Sequence, residues 1–206
     1  KNGFSMTTYV GTGSAGTVAH GLGKKPTFWI MKNTSDTSEW YVYYTAVNES
    51  LDYLLFNTNN ASNSGASLPT TTTVSATSSL STSGHTWVLY AWTDIPGYSK
   101  VGVYKGNGDG NGPYIPLGFR PAFVMMKEIN DNGTNWVLYD NKRNTSNPVN
   151  LSLYPNLNNA EGDASLDYDF LSNGFKVRTS NGGINESGDT YLYMAFAEQP
   201  GFVPYM

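Results

Sequence analysis

The apolar residues of this chain fall in short runs separated by polar, glycine-bearing stretches. "SMTTYV" (5–10) and "SKVGVYK" (99–105) are strand-like runs of Thr, Tyr and Val. "PTFWIMKN" (26–33) and "PAFVMMKE" (121–128) are continuous apolar runs after a proline, the length of a buried strand. "EWYVYYTAV" (39–47) and "NWVLYDN" (135–141) follow across polar turns as second arms of hairpins. "YLLF" (53–56) and "NLSLY" (150–154) form a further strand in each half. "HTWVLYAWT" (85–93) and "TYLYMAFAE" (190–198) are apolar on both alternating faces, which predicts central, doubly covered strands. Residues 58–84 are Ser/Thr-rich, and Val74 and Leu80 within them fit one or two short strands. In "DFLSNGFKVRTS" (169–180) the pair Asn173–Gly174 signals a tight hairpin. No eleven-residue window carries helical periodicity.

The chain also repeats itself. Tyr9, Gly11, Gly13, Gly23, Pro26, Phe28 and Met31-Lys32 recur as Tyr104, Gly106, Gly108, Gly118, Pro121, Phe123 and Met126-Lys127, at a constant separation of 95 residues. Trp40-x-x-Tyr43 returns as Trp136-x-x-Tyr139, Ser83-Gly84 as Ser187-Gly188, and Pro96-Gly97 as Pro200-Gly201. The expected fold is all-β: an antiparallel β-sandwich, jelly-roll or concanavalin-like, built from pseudo-repeat halves 3–96 and 97–201. One domain spanning 1–206 is preferred over two small sandwiches, because Pro96-Gly97 leaves almost no linker between the halves.

Composition narrows the function classes. Charged residues make up 14% of the 206 residues, and fifteen tyrosines lead the aromatics. The formal charge is −4 with no basic run, so the phosphate-neutralising attraction behind nucleic-acid binding is missing. No apolar run approaches the roughly 18 residues of a membrane span, so no membrane insertion is expected. Cysteine is absent, which excludes disulfides and thiolate metal sites and leaves stability to core burial, with oligomerisation as a further source.

One motif invites a nucleotide. Gly11, Gly13 and Gly16 spell G-x-G-x-x-G directly after a strand-like run. A dinucleotide site needs a helix after the last glycine, yet "TVAHGLGKKP" follows. The second copy keeps Gly106 and Gly108 but has Asn111 in place of the third glycine, so the pattern reads as a turn between strands. His20 and His85 are not repeated and sit in no nucleophile motif; structural or surface roles are expected for both. "GNGDGNG" (106–112) and "NDNGTN" (130–135) lack calcium-loop spacing. Glu161, Asp163, Asp167 and Asp169 could pair as glycosidase acids, but the first copy lacks them and a solvated acidic loop is the simpler reading. No catalytic residue, metal or cofactor is therefore expected. The aromatics carry the best lead, since Trp and Tyr faces stack on sugar C–H surfaces beside Asn and Asp loops. Trp40, Tyr41, Tyr43, Tyr44, Trp136 and Tyr139 are the candidate ligand-binding residues. Their competing role is the core, because Trp40 and Trp136 are repeat landmarks.

The glycine block "GTGSAGTVAHGLGKKPTF", the "NGFK" hairpin and the "YMAFAEQP" end resemble a C-terminal module of bacteriophage tail fibres, common in phages of marine bacteria, over nearly the whole chain. The resemblance implies a virion-surface, extracellular location. It implies recognition of a host cell-surface polysaccharide or other receptor, and homotrimeric fibre assembly. It supplies no catalytic motif and no binding residues to carry over. The readings beside this one are a spacer or trimerisation module and a polysaccharide depolymerase.

Overall fold

A computed structural model describes residues 3–46, 52–64 and 67–199. The backbone divides into two compact units, Lys1–Asn57 with Ser62–Asp94 and Thr58–Ala61 with Ile95–Met206. Each is an all-β sandwich of antiparallel sheets.

The first unit carries β1 (Phe4–Val10), β2 (Gly16–Ala19), β3 (Phe28–Asn33), β4 (Trp40–Tyr44), β5 (Asp52–Leu55), β6 (Asn63–Ser64), β7 (Thr73–Ala76) and β8 (Thr86–Trp92). Its large sheet runs β1-β8-β3-β4-β5-β6, and β2 pairs β7 in a small second sheet. Between them lies a core of Val18, Leu22, Val74, Ala76 and Leu80 against Trp29, Met31, Tyr43, Trp87, Leu89 and Ala91. The second unit carries β9 (Ser99–Lys105), β10 (Tyr114–Pro116), β11 (Pro121–Glu128), β12 (Val137–Asp140), β13 (Val149–Ser152), β14 (Gly162–Leu171), β15 (Gly174–Val177), one turn of helix α1 (Gly182–Asn185) and β16 (Thr190–Ala197). Its sheets run β12-β11-β16-β9 and β10-β15-β14-β13. Tyrosines dominate its core: Tyr104, Tyr139, Tyr168 and Tyr191 all lie in one buried cluster with Phe170, Phe175 and Ile184.

The repeat is thus a repeat of topology. The order β1-β8-β3-β4 returns as β9-β16-β11-β12. As their two apolar faces predict, β8 and β16 are interior strands with neighbours on both sides. The copies diverge after the fourth strand. In the first, β5 and β6 continue the large sheet beside β4; in the second, β13 and β14 join β15 in the opposite sheet, and Leu153, just past β13, bridges Leu138 of β12.

The paired glycines hold the same closure in both units. Gly11 donates its N–H to the His85 carbonyl at 2.9 Å, and Gly84 donates to the Gly11 carbonyl at 2.9 Å. Gly106 bonds Asp189 and Gly188 bonds Gly106 in the same way, at 2.9 and 3.0 Å. A Cβ on Gly11 would lie 2.6 Å from the Ser81 carbonyl carbon and closer still to the Thr82 oxygen; one on Gly106 would lie 2.8 Å from the Asn185 carbonyl carbon and closer still to the Glu186 oxygen. Gly13 and Gly108 need glycine for another reason, since their φ angles are +82° and +69°. Gly16 has ordinary φ, and a Cβ there would meet no atom within 4 Å. The nucleotide-like spacing therefore holds two glycines the fold requires and one it does not. The tyrosine that precedes each closure caps it. Tyr9 donates its hydroxyl to the Leu80 carbonyl at 2.6 Å, and Tyr104 donates to the Ile184 carbonyl at 2.8 Å.

Several elements depart from the sequence pattern. β2 and β10 arise inside glycine-rich loops, where three or four residues carry no readable alternation. Leu80 ends a 3-10 turn (Ser78–Leu80) instead of a strand, while Val74 does lie on β7. The acidic stretch is not a loop: Asp163, Asp167 and Asp169 belong to β14, whose buried Leu166, Tyr168 and Phe170 supply the alternation. The hairpin turn sits on Ser172–Asn173, because Leu171 pairs Gly174. Gly174 is needed for a different reason: a Cβ there would sit 3.1 Å from the Ile115 carbonyl carbon of the adjoining β10 and closer still to its oxygen. Among the described residues no helix is long and apolar enough to cross a membrane.

Candidate functional site

The structure separates the six aromatic candidates. Trp136 and Tyr139 are buried, at 1% and 0% exposure, and Tyr139 packs against Tyr168 of β14 with ring centroids 4.9 Å apart. Tyr43 and Tyr44 are also buried, at 3% and 1%. None of these four presents a ring face to a ligand, so these positions belong to the core, as the recurrence of Trp136 and Tyr139 allowed. Trp40 and Tyr41 remain partly exposed, but neighbouring strand residues face opposite sides of the sheet. Trp40 sits beneath Lys32, whose Nζ is 5.9 Å from the ring centroid, and its backbone N–H donates to Asn57 Oδ1 at 3.1 Å. Trp136 makes the equivalent bond to Asn156 at 3.0 Å. Trp40 thus anchors a hairpin end.

Tyr41 belongs to a different arrangement. It shares the inner face of the large sheet with Tyr43, and β5 adds Tyr53, which pairs directly with Tyr43. The Tyr43 and Tyr53 rings lie 5.6 Å apart at 41°, and the Tyr41 and Tyr53 rings 5.8 Å apart at 47°. Tyr43 stacks in turn on the fully buried Trp29 at 5.4 Å and 12°. The row begins in the core and ends in two half-buried rings, Tyr41 and Tyr53. This shelf follows from the divergence of the copies. In the second unit the positions of Tyr41 and Tyr43 are Val137 and Tyr139, sealed in the core that β13 and β14 complete. In the first unit β5 stays in the large sheet, and among the described residues β2 and β7 form the opposing one.

The shelf has polar edges. Burial raises the Tyr41 pKa above the ordinary phenol value, helped by Tyr53, Glu39 and Asp36, which places two carboxylates within electrostatic reach. Burial likewise raises Tyr43, with Tyr53 and Tyr41 adding to it. Both hydroxyls keep their protons at neutral pH and can donate and accept. Glu39 accepts from the Asn57 amide, and Asn63 stands opposite Tyr53 on β6. Rings flanked by carboxylate and amide groups suit a polyol that has an apolar face. The sequence pattern misses Tyr53 because its place on the shelf depends on β5 pairing with β4, which the run "DYLLF" does not encode; Tyr41 stands out as an aromatic that the second copy replaces with Val137.

Most of the remaining chemistry-bearing residues have structural partners; Asp167, whose buried Oδ1 has no hydrogen-bond partner among the described residues, is the exception among those considered. His20 is fully buried; its Nδ1 accepts from the Leu22 N–H at 3.2 Å and its Nε2 faces the Thr70 carbonyl at 3.3 Å. Burial lowers its pKa against the opposing pull of the Thr70 carbonyl, so the ring is neutral. His85 bonds Asn33 at 3.0 Å and lies 3.4 Å from Asp36. Of the acids on and beside β14, Glu161 pairs with Arg143 at 3.1 Å and Asp169 with Arg178 at 3.3 Å. Arg143 also grips Asp140 at 2.6 Å. Asp167 is raised by burial and by Asp163 and Asp169. Among the described residues no group of three His, Asp or Glu side chains is placed to hold a metal ion.

Comparison with known proteins places the chain without assigning an activity. No curated protein and no solved structure was found to match it. A family model does match, over residues 1–200 and so nearly the whole chain. The protein belongs to the family described as a domain of unknown function, DUF7483.

Proposed function

We propose that this chain is a non-enzymatic binding module of a phage tail-fibre-like protein, displayed on the virion surface, that takes a host cell-surface glycan on the Tyr41–Tyr53 shelf. The observation that carries the reading is the shelf itself: two half-buried tyrosines, locked by the Tyr43 and Trp29 rings behind them and edged by Glu39 and Asn63. Rings fixed in this way lose little freedom when a ligand arrives, which favours binding. The resemblance to tail-fibre modules supplies the host-cell setting. An array of bacterial surface polysaccharides tests the reading: binding to a subset is expected, and no binding to any would overturn it. Incubation with a bound polysaccharide should release no new reducing ends; their appearance would favour the depolymerase reading instead.

A second reading rests on β1. This edge strand leaves Phe4, Met6 and Val10 exposed, at 46%, 60% and 62%, and Phe4 continues onto Trp92 at 4.8 Å. An apolar edge strand is a ready pairing surface, which suits a module that trimerises or spaces a fibre. Light scattering after size exclusion distinguishes the two: a trimer that falls apart in Met6→Glu supports assembly, and a monomeric wild type refutes it.

A further inference from the structure

The second unit contains a cleft of about 210 Å³ where the edge of its core meets the surface beside β12, lined by Thr134, Asn135, Val137, Tyr154, Leu166 and Asn181. We infer that this cleft is a binding site for one neutral hexopyranose ring, distinct from the tyrosine shelf.

Three features of the lining select the ligand. The first is charge: none of the side chains that line the cleft is ionisable at neutral pH. A carboxylated or phosphorylated ligand would lose water there without gaining a counter-charge. The second is the distribution of polar groups. Asn135 accepts a bond from the Asn156 amide at 2.8 Å through its oxygen, and Asn181 accepts from the Gly183 N–H at 2.9 Å through its oxygen. The NH2 group of each has no protein partner among the described residues, so two donors remain for ligand hydroxyls. The same lining carries the Tyr154 ring and the apolar side chains of Val137, Ala164 and Leu166. The lining therefore offers apolar contact for C–H groups and amide donors for hydroxyls, the two kinds of surface a pyranose presents. The third is size. Pockets for drug-sized ligands run to roughly 300–1,000 Å³, so this volume admits a single ring.

The loop that forms the rim is held rigid from behind. Lys127 and Glu128 are both buried, at 1% exposure. Lys127 donates from Nζ to Thr134 Oγ1 at 3.1 Å, and Thr134 donates to Glu128 Oε2 at 3.0 Å. The Glu128 carboxylate also accepts from the Asp131 N–H at 2.8 Å and from the Asn130 N–H. Both charged groups are engaged by this loop and neither lines the cleft, so the lining stays neutral and the loop has a set shape before any sugar arrives.

Isothermal titration or saturation-transfer NMR with methyl glycosides of glucose, galactose and mannose tests the inference, with the methyl glycoside of glucuronic acid as the charged control. At least one neutral glycoside should bind in the millimolar range and the charged one should not. Ala164→Leu fills the cleft without removing a polar group, and Tyr154→Ala removes the ring; each should weaken binding at least tenfold while the melting temperature shows that the chain still folds. Tyr53→Ala, which alters the shelf on the other unit, should leave the glycoside-induced shifts of the Tyr154 ring resonances unchanged. If every neutral glycoside fails to bind the wild type, or if Ala164→Leu and Tyr154→Ala bind as the wild type does, the inference is wrong. If binding is lost only in Tyr53→Ala, the sugar sits on the shelf: the cleft inference falls while the proposed function stands.

Discussion

Replacing Gly11 by alanine tests the closure that both copies share. The new Cβ would lie 2.6 Å from the Ser81 carbonyl carbon and closer still to the Thr82 oxygen. These are backbone atoms, so no side-chain rotation relieves the overlap. The strand end must back away, and two hydrogen bonds of 2.9 Å open: Gly11 N–H to the His85 carbonyl and Gly84 N–H to the Gly11 carbonyl. Each such bond is worth about 0.5–1.5 kcal/mol net, and a buried donor left without a partner costs about 1–3 kcal/mol. Gly11 is buried, so the combined loss is about 2–4 kcal/mol. For a chain of this length each kcal/mol moves the melting temperature by about 2–4 °C, which predicts a drop of about 4–16 °C. Gly106→Ala should cost a similar amount, because its Cβ meets the Glu186 carbonyl in the same geometry. Gly16→Ala is the control: its position is open and its φ ordinary. It should be neutral or stabilise by about 0.4–1 kcal/mol through the unfolded chain. Scanning calorimetry on the three variants reads the result. If Gly11→Ala melts within about 0.5 kcal/mol of the wild type, or Gly16→Ala is as costly as Gly11→Ala, the reasoning fails.

Three further outcomes follow from the same contacts. Tyr104→Phe leaves the buried Ile184 carbonyl without its 2.8 Å donor and should cost about 1–3 kcal/mol in urea unfolding, whereas Tyr9→Phe, at a half-buried site, should cost about 0.5–1.5 kcal/mol; equal stability of wild type and Tyr104→Phe would contradict this. His20 has a folded pKa below its unfolded 6.5, so the unfolded chain takes up the proton first and stability falls as pH drops from 7 to 5. His20→Gln should flatten that slope, and an unchanged slope would remove His20 from the account. Burial draws Lys127 down from 10.5 to about 8, with Glu128 opposing. The folded state then holds fewer protons between these values, so stability rises with pH from 8 to 9.5 and the rise disappears in Lys127→Met; a wild type with no rise would show the ammonium to be ordinary.

The repeat landmarks were readable because each does the same work twice. Gly11 and Gly106, Gly13 and Gly108, Tyr9 and Tyr104 keep their order since backbone overlap, positive φ and a carbonyl partner demand them in both units. Strands with strong apolar patterns, such as β3, β8, β11 and β16, were equally plain. β2 and β10 were hidden because they are short and their pairing is set by partners distant in sequence, β7 and β15. β14 was obscured because the aspartates on its outer face outweighed the buried Leu166, Tyr168 and Phe170 between them. The candidate site was legible only in part. Tyr41 could be found as an aromatic that the second copy lacks, but its face depends on where β5 goes. That β5 joins β4 whereas β13 crosses to the opposite sheet is a choice of pairing, and local pattern does not encode it. Tyr43 and Tyr53 gained their meaning from that choice.

The most direct test of the glycan-binding shelf is the affinity of a bound polysaccharide for the wild type, Tyr41→Ala, Tyr53→Ala and Trp40→Ala, measured by biolayer interferometry on chains shown to fold. At least a tenfold loss, about 1.4 kcal/mol, is expected for Tyr53→Ala and Tyr41→Ala, and a smaller change for Trp40→Ala on the opposite face. Wild-type affinity in both tyrosine variants would contradict it.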